Sequence, residues 1–208
     1  MEVYLSTAYL APIQYYCRLL SGTVYLETCE HFVKQSFRNR CLIGGANGLL
    51  TLTIPVEKPR SNLKIPIRDV RISEHGRWRH QHWQALVSAY RKSPFFDYYE
   101  EDFAPFYHRS SLHFLFDFNE ELRRTVCHLL GITPIIRSTN IYFPSPPNDY
   151  RNAIHPKHKV VDPLFLPISY YQVFSARHSF LPNLSIADLL FNEGPEALSI
   201  LRHSFRLS

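Results

Sequence analysis

No Cys-x-x-Cys pair, no lysine-arginine tract and no apolar run of membrane-spanning length occurs in this sequence. The four cysteines, Cys17, Cys29, Cys41 and Cys127, are scattered. Structural zinc draws on tight ligand pairs, so this spacing argues against a zinc-built fold, and unpaired thiols suit a reducing compartment. Without a basic tract there is no tail to grip nucleic acid, and none is expected as a partner. The apolar N-terminus has no basic residue before Arg18 and is interrupted by Ser6, Thr7 and Gln14. It reads neither as a signal peptide nor as a membrane span, which leaves the cytoplasm as the expected location. Glycine is scarce at 7 residues, and the G-x-S-x-G, H-E-x-x-H, P-loop and kinase signatures are all missing. Those absences set aside classical hydrolases, zincins and ATPases, and they leave no cofactor to name.

What the chain does contain suits one globular domain over residues 1–208, with 45% apolar and 20% charged residues. Phenylalanine (15) and tyrosine (13) are abundant. Tyrosine joins ring packing to a polar end, so a surplus either fills the interior or lines a groove. The formal charge of +5 and a pI near 9.0 favour an anionic small molecule such as a sugar nucleotide.

The pattern alternates between strands and helices. Val3–Leu10 reads as a buried strand, Pro12 as the opening of a short helix that stops at Gly22, and "TVYLET" as a parallel second strand. "GGANG" is turn chemistry beside the strand "LLTLTIPV", and "KIPIRDVRIS" is a second extended run, together a β-hairpin insertion. Trp83, Leu86, Val87 and Tyr90 form one helical stripe. An aromatic helix follows Ser93-Pro94 and ends near Pro105. A long helix over Ser111–Leu130 stops at Gly131, and Thr133–Arg137 returns as a strand. A proline-rich loop covers about 142–163, and Ser185 with Asp188 makes a capping-box-like start to a C-terminal helical segment. The expected class is α/β: three layers, with a mostly parallel or mixed sheet flanked by helices.

Three constellations could carry chemistry. In open parallel sheets ligands bind at the carboxyl ends of strands, which draws attention to Ser6, Thr7, Tyr9 and Gln14; an ordinary strand-to-helix connection fits the same residues. Arg38 and Arg40 share a face of an extended stretch, with Asn39 opposite, and two guanidinium forks can hold a phosphate or carboxylate. A solvated arginine pair is the plainer reading. His82 has a pKa range suited to a general base, whereas His80 and His82 lie about 200° apart on a helix and make a poor metal clamp. His155 and His158 sit in the proline-rich loop.

Taken in order, "YLAPIQYY", "FVKQSFRNRCLI", "LLTLTIPV", "HWQALVSAYRKSPFFDYYEED" and "IIRST" resemble the WbqC-like family from Leu5 to about Leu201. The closing "YYQVF" and "FLPNLSIADLLFNEGPEAL" look like the branch found in Bacteroidetes-type bacteria. The family usually carries Q-P-x-Y-F-P-W-x-G-Y-F after its first strand. Here Tyr9 and Tyr15 are kept, while Ser6, Thr7, Pro12 and Gln14 replace Gln, Pro, Trp and Gly. Arg38, Asn39 and Arg40 match an N-R-type stretch, His82, Tyr90 and Pro94 match its helix, and Ser138-Thr139 matches a Ser-Ser pair. The family is associated with O-antigen and other surface-polysaccharide gene clusters. The resemblance therefore implies a transferase that moves an aminoacyl or acyl group onto an amino-sugar intermediate. On that implication His82 removes the proton, and Tyr9, Gln14, Tyr15, Arg38, Asn39, Arg40, Ser138 and Thr139 hold substrate, with no metal site. The alternative is a non-catalytic scaffold of an envelope-assembly complex, touching protein partners through the aromatic helix and the proline-rich loop.

Overall fold

A computed structural model describes residues 1–57, 64–109, 111–157 and 161–206. Three parallel strands make its sheet, in the order β1 (Glu2–Ser6), β2 (Thr23–Glu27) and β5 (Ile135–Ser138). Tyr4 pairs with Tyr25, and Tyr25 with Arg137. Beyond β1 the chain returns at 148–150, where Tyr4 N–H donates to Asn148 and Tyr150 N–H donates to Tyr4. β1 ends four residues earlier than its β-forming sequence suggests. From Thr7 the chain turns inward, and Leu10 takes a left-handed φ of 39°. That conformation is strained for a branched side chain. It persists because Leu10 is buried, Tyr9 N–H is bound by Phe37, and Pro12 pairs with Ser185.

Pro12 is the N-cap of helix α1 (Ile13–Leu19). Gly22, at φ 141°, then lets the chain pass within contact of Met1, where an added Cβ would meet the Met1 carbonyl at 2.2 Å. The hairpin is β3 (Arg40–Gly45) with β4 (Gly48–Thr53), turning through the expected Gly-rich stretch. "KIPIRDVRIS" forms no strand: it contributes one 3₁₀ turn at Ile67–Asp69 and isolated bridges. Proline lacks a donor for a ladder, and the Ile67 N–H goes to Glu30 instead.

Three helices follow: α2 (Trp78–Tyr90), α3 (Phe96–His108) and α4 (Leu115–Leu129). The stripe on α2 buries Trp83, Leu86 and Tyr90 as expected and half-buries Val87, and Trp78 and His82 join it. Helix α3 runs past Pro105, and it turns Phe96, Phe103 and Tyr107 inward while Tyr98 stays exposed. These rings meet Trp83 and Phe191 at centroid distances of 5.1–6.1 Å. Helix α4 buries Leu115, Phe118, Leu122 and Val126 and ends where Gly131 adopts φ 66°.

Short α5 (Ser175–His178) precedes α6 (Ile186–Glu193) and α7 (Ala197–His203), joined by a 3₁₀ turn at Gly194–Glu196. Ser185 caps α6 through Ala187 N–H, 3.2 Å away. Asp188 does not close the expected box: it points into the interior, and the Ser185 N–H goes to Leu42. No helix among the described residues is long and apolar enough to cross a membrane.

Candidate functional site at the carboxyl ends of the sheet

Charged side chains are rare in an interior because an unpaired buried ion loses its hydration. Here Glu27, Glu30, Arg38, Glu120 and Arg151, all buried, gather in one place, where β1, β2 and β5 end. Glu27 closes β2, fully buried, and receives Arg151 Nη1 at 3.1 Å, Thr139 Oγ1 at 2.7 Å and Cys29 N–H at 2.8 Å. Arg38 donates to both oxygens of Glu30 at 2.8 and 2.5 Å, and to Ser6 Oγ at 2.7 Å. Ser6 leans on the Arg151 carbonyl at 3.5 Å. On the α4 side, Arg123 donates twice to Glu120 at 3.0 and 2.7 Å, and Thr7 Oγ1 approaches Glu120 at 3.5 Å. Arg151 also donates to both oxygens of Asp149, at 2.8 and 2.6 Å, so four carboxylates and three guanidiniums meet at this edge.

Two openings reach it. The cleft between Ser6–Ala8, Arg38 and Arg151 encloses about 10 Å³, room for a water-sized sphere. On the other side of Glu120 a groove of about 490 Å³ lies between α4 and the ends of β2 and β5. Its wall sets Asp117, Glu120 and Glu121 beside Arg123 and Arg124, with Ser138 at the strand end. Such a wall presents both signs of charge at close range, so it matches a ligand carrying an ammonium and an anion together.

The sequence candidates are divided by this geometry. Arg38 and Tyr15 line the narrow cleft, Ser138 lines the groove, and Thr139 stands behind Glu27. Gln14 faces a different cavity. Asn39 is buried and holds the Ile54 carbonyl at 2.9 Å. Arg40 begins β3, apart from the Arg38 ion pair, and its buried Nε has no partner. Tyr9 and His82 lie inside. Tyr9 Oη sits 2.9 Å from both His82 Nδ1 and Tyr107 Oη. Burial lowers the His82 pKa to about 4 against a partial offset from its hydrogen bond to the Thr53 backbone. Bonding to that carbonyl leaves Nδ1 as the acceptor of the Tyr9 hydroxyl, so both ring nitrogens of the neutral imidazole are engaged. His158 lies outside the described residues, and His155 lines the same cavity as Gln14. Among the described residues no group of three or more His, Cys, Asp or Glu could hold a metal ion.

Glu27, Glu30, Glu120, Arg123 and Arg151 were not singled out by sequence. A usable signal existed for Glu27: a carboxylate that closes an apolar strand of a parallel sheet stands where such sheets bind ligands. Glu120 and Arg123 are spaced i,i+3 beside the apolar stripe of α4. Arg151 gave no signal within its loop.

Comparison with known proteins bears on the same region. The profile of the WbqC-like protein family matches residues 8–160, which include every residue of the network except Ser6 and Thr7. The match stops before "YYQVF" and the C-terminal helices, so it does not support the narrower branch. A protein of Mycobacterium tuberculosis (strain ATCC 25618 / H37Rv), described as "Uncharacterized protein Rv1507c", is 27% identical over 197 positions, covering 83% of this chain and 84% of that protein. No solved structure matches the chain.

Proposed function

The chain belongs to the WbqC-like protein family, and from that premise we propose that it is a transferase of surface-polysaccharide biosynthesis, moving an aminoacyl or acyl group onto an amino-sugar intermediate. The observation that carries this reading is the groove of about 490 Å³ at the carboxyl ends of β2 and β5, walled by both signs of charge. An amino sugar attached to a phosphate or nucleotide is both cationic and anionic. Its phosphate would meet Arg123 and Arg124, and its ammonium would meet Glu120 and Asp117. In the step proposed, the ammonium first yields a proton to the Glu120 carboxylate. The free amine then attacks the acyl carbon, the new C–N bond forms as the bond to the donor's leaving group breaks, and the leaving group departs with the bonding electrons and with the second proton shed by the nitrogen. Ser138, exposed at the end of β5, is placed to hold the acceptor's hydroxyls. Arg38 acts through others: paired with Glu30, it fixes Ser6 at the cleft. His82 is assigned a positioning role, holding the Tyr9 hydroxyl beneath the first turn.

The test is calorimetric titration with UDP-glucosamine and with UDP-glucose. The amine should bind more tightly, and Glu120→Gln should remove that preference. In a transfer assay the same substitution should lower kcat more than it raises KM, as for a group acting in the transition state. Equal binding of the two nucleotides, or amine preference retained in the Gln variant, would sink this assignment.

One observation favours the scaffold reading. Ile141, Tyr142 and Phe143 of the proline-rich loop are 63%, 50% and 41% exposed, a contiguous apolar tip suited to a protein contact. A protein that binds neither nucleotide would favour it.

A further inference from the structure

A second cavity, of about 500 Å³, shares no lining residue with the groove. It lies where the start of α1 meets the outer face of the β3–β4 hairpin and the segment 161–184. Its volume falls in the range of small-ligand sites, and so does its make-up: mostly apolar walls with a few converging polar groups. Leu42 and Leu49 come from the hairpin, and Phe37 and Phe165 from the flanking loops. The polar groups are the side-chain amides of Gln14 and Asn183, with Asp162 beside them, and the imidazole of His155.

The bonds these groups already make restrict what they can take. Asp162 is claimed by Arg18, which approaches with Nε at 3.1 Å and also with Nη2. That guanidinium is buried between the rings of Tyr150 and Phe205, with centroids at 4.0 and 4.8 Å. Gln14 Nε2 gives one hydrogen to Asp162 at 2.9 Å, and Gln14 Oε1 accepts from Asn183 Nδ2 at 3.3 Å. Asn183 Oδ1 accepts the Gln14 backbone N–H at 2.9 Å. Each primary amide has two N–H donors and two acceptor sites. Each therefore keeps one donor and one acceptor site, side by side on the wall. Among the described lining residues a phosphate meets no lysine or arginine, and a free ammonium finds the one carboxylate, Asp162, already paired with Arg18.

From this we infer that the cavity is a binding site for an uncharged ligand bearing a secondary amide, either an N-acyl sugar or a peptide segment. A secondary amide offers one N–H and one C=O, which pair with the free acceptor and donor of the Gln14–Asn183 wall. The methyl or ring portion packs on Leu42, Phe37 and Phe165. This inference is independent of the proposed transferase reaction.

The experiment is ligand-observed NMR titration with three probes: N-acetylglucosamine, glucosamine and N-acetylalanine N-methylamide. An acetamide-bearing probe should bind while glucosamine does not, and whichever of the two acetamides binds more tightly identifies the source. Asn183→Leu should weaken that binding at least about tenfold, the effect of leaving a hydrogen-bond partner unmet. Leu49 stands at the exposed rim, so Leu49→Trp tests the site without entering the core; it should block binding and leave UDP-glucosamine titration unchanged. Glucosamine binding as well as N-acetylglucosamine, no probe binding, or binding that survives both substitutions would overturn the inference.

Discussion

Glu27 and Arg151 show what a single residue contributes at the sheet edge. Removing one partner of a buried ion pair costs about 3–5 kcal/mol when the other charge is left uncompensated, but Arg151 keeps Asp149, at 2.6 and 2.8 Å, when Glu27 is lost. Glu27→Gln should therefore lower unfolding free energy by about 1.5–3 kcal/mol in urea titration, the range for hydrogen bonds to a charged group, and Glu27→Gln with Arg151→Met should recover part of it. A single variant within 1 kcal/mol of the parent, the resolution expected of a surface change, would show the network to be dispensable. Such residues were legible only in part. Arg38 could be found because its stretch is dense in charge, but its partner Glu30 lies eight residues back with no periodic relation to it. Ion pairs that close over more than 100 residues, as Glu27–Arg151 does, leave no local pattern. His82 was visible as a histidine on a helix, yet its burial depends on Tyr9, from the turn after β1, which is held in its place by Tyr107 of α3.

Helix α2 holds two titratable sites through one face. It carries His82, and its Tyr90 donates to Asp188 at 2.8 Å, where Tyr170 (2.5 Å) and Gln172 (3.1 Å) also donate. Burial raises the Asp188 pKa to about 6, against the opposing hydrogen bonds from Tyr170, Tyr90 and Gln172. A raised acid pKa means that the folded state holds the proton more tightly. Its stabilisation is full below the ordinary value of 3.8 and is lost as pH rises through about 6. His82 runs the other way. Its lowered pKa makes stability full above 6.5 and lost as pH falls toward about 4. Each shift is worth about 3 kcal/mol, so over pH 4–6.5 the two nearly cancel. Asp188→Asn should expose the histidine and make stability fall on acidification. His82→Gln should make it rise relative to the parent. Denaturant titrations at pH 4.5, 5.5 and 6.5 would read both; parallel pH profiles for parent and variants would refute the pairing.

At the same scale, Gly22→Ala should cost about 1–3 kcal/mol by thermal unfolding, since both the positive φ and the Met1 carbonyl oppose a side chain. Turn glycines and amphipathic stripes were legible because their causes lie within a few residues. The fate of "KIPIRDVRIS" was not. Its β propensity is real, but its neighbours at His31, Val56 and Phe114 each offer it a single bridge rather than a ladder, and Pro66 brings no N–H to extend one.

At the scale of the whole molecule, the parallel sheet joins segments far apart in the chain: Thr139 reaches Glu27 across 112 residues and Arg151 reaches it across 124. The hairpin, by contrast, closes between neighbours. Loop closure must precede any reward from distant contacts, so the hairpin should be formed early and the charged edge late in folding. The consequence is kinetic. Thr139→Val removes a hydroxyl that bonds Glu27 and Thr28, at a cost of about 2 kcal/mol, and the loss should appear almost wholly as unfolding that is roughly thirtyfold faster. Ile43→Val in the hairpin should instead slow refolding. Stopped-flow chevrons of the two variants would decide it: a Thr139 variant that refolds more slowly, with unfolding unchanged, would mean the edge assembles first. If it assembles last, the groove opens and closes at the rate of the molecule's least committed strand, β5, and ligand that bridges β5 to α4 slows unfolding by holding that strand in place.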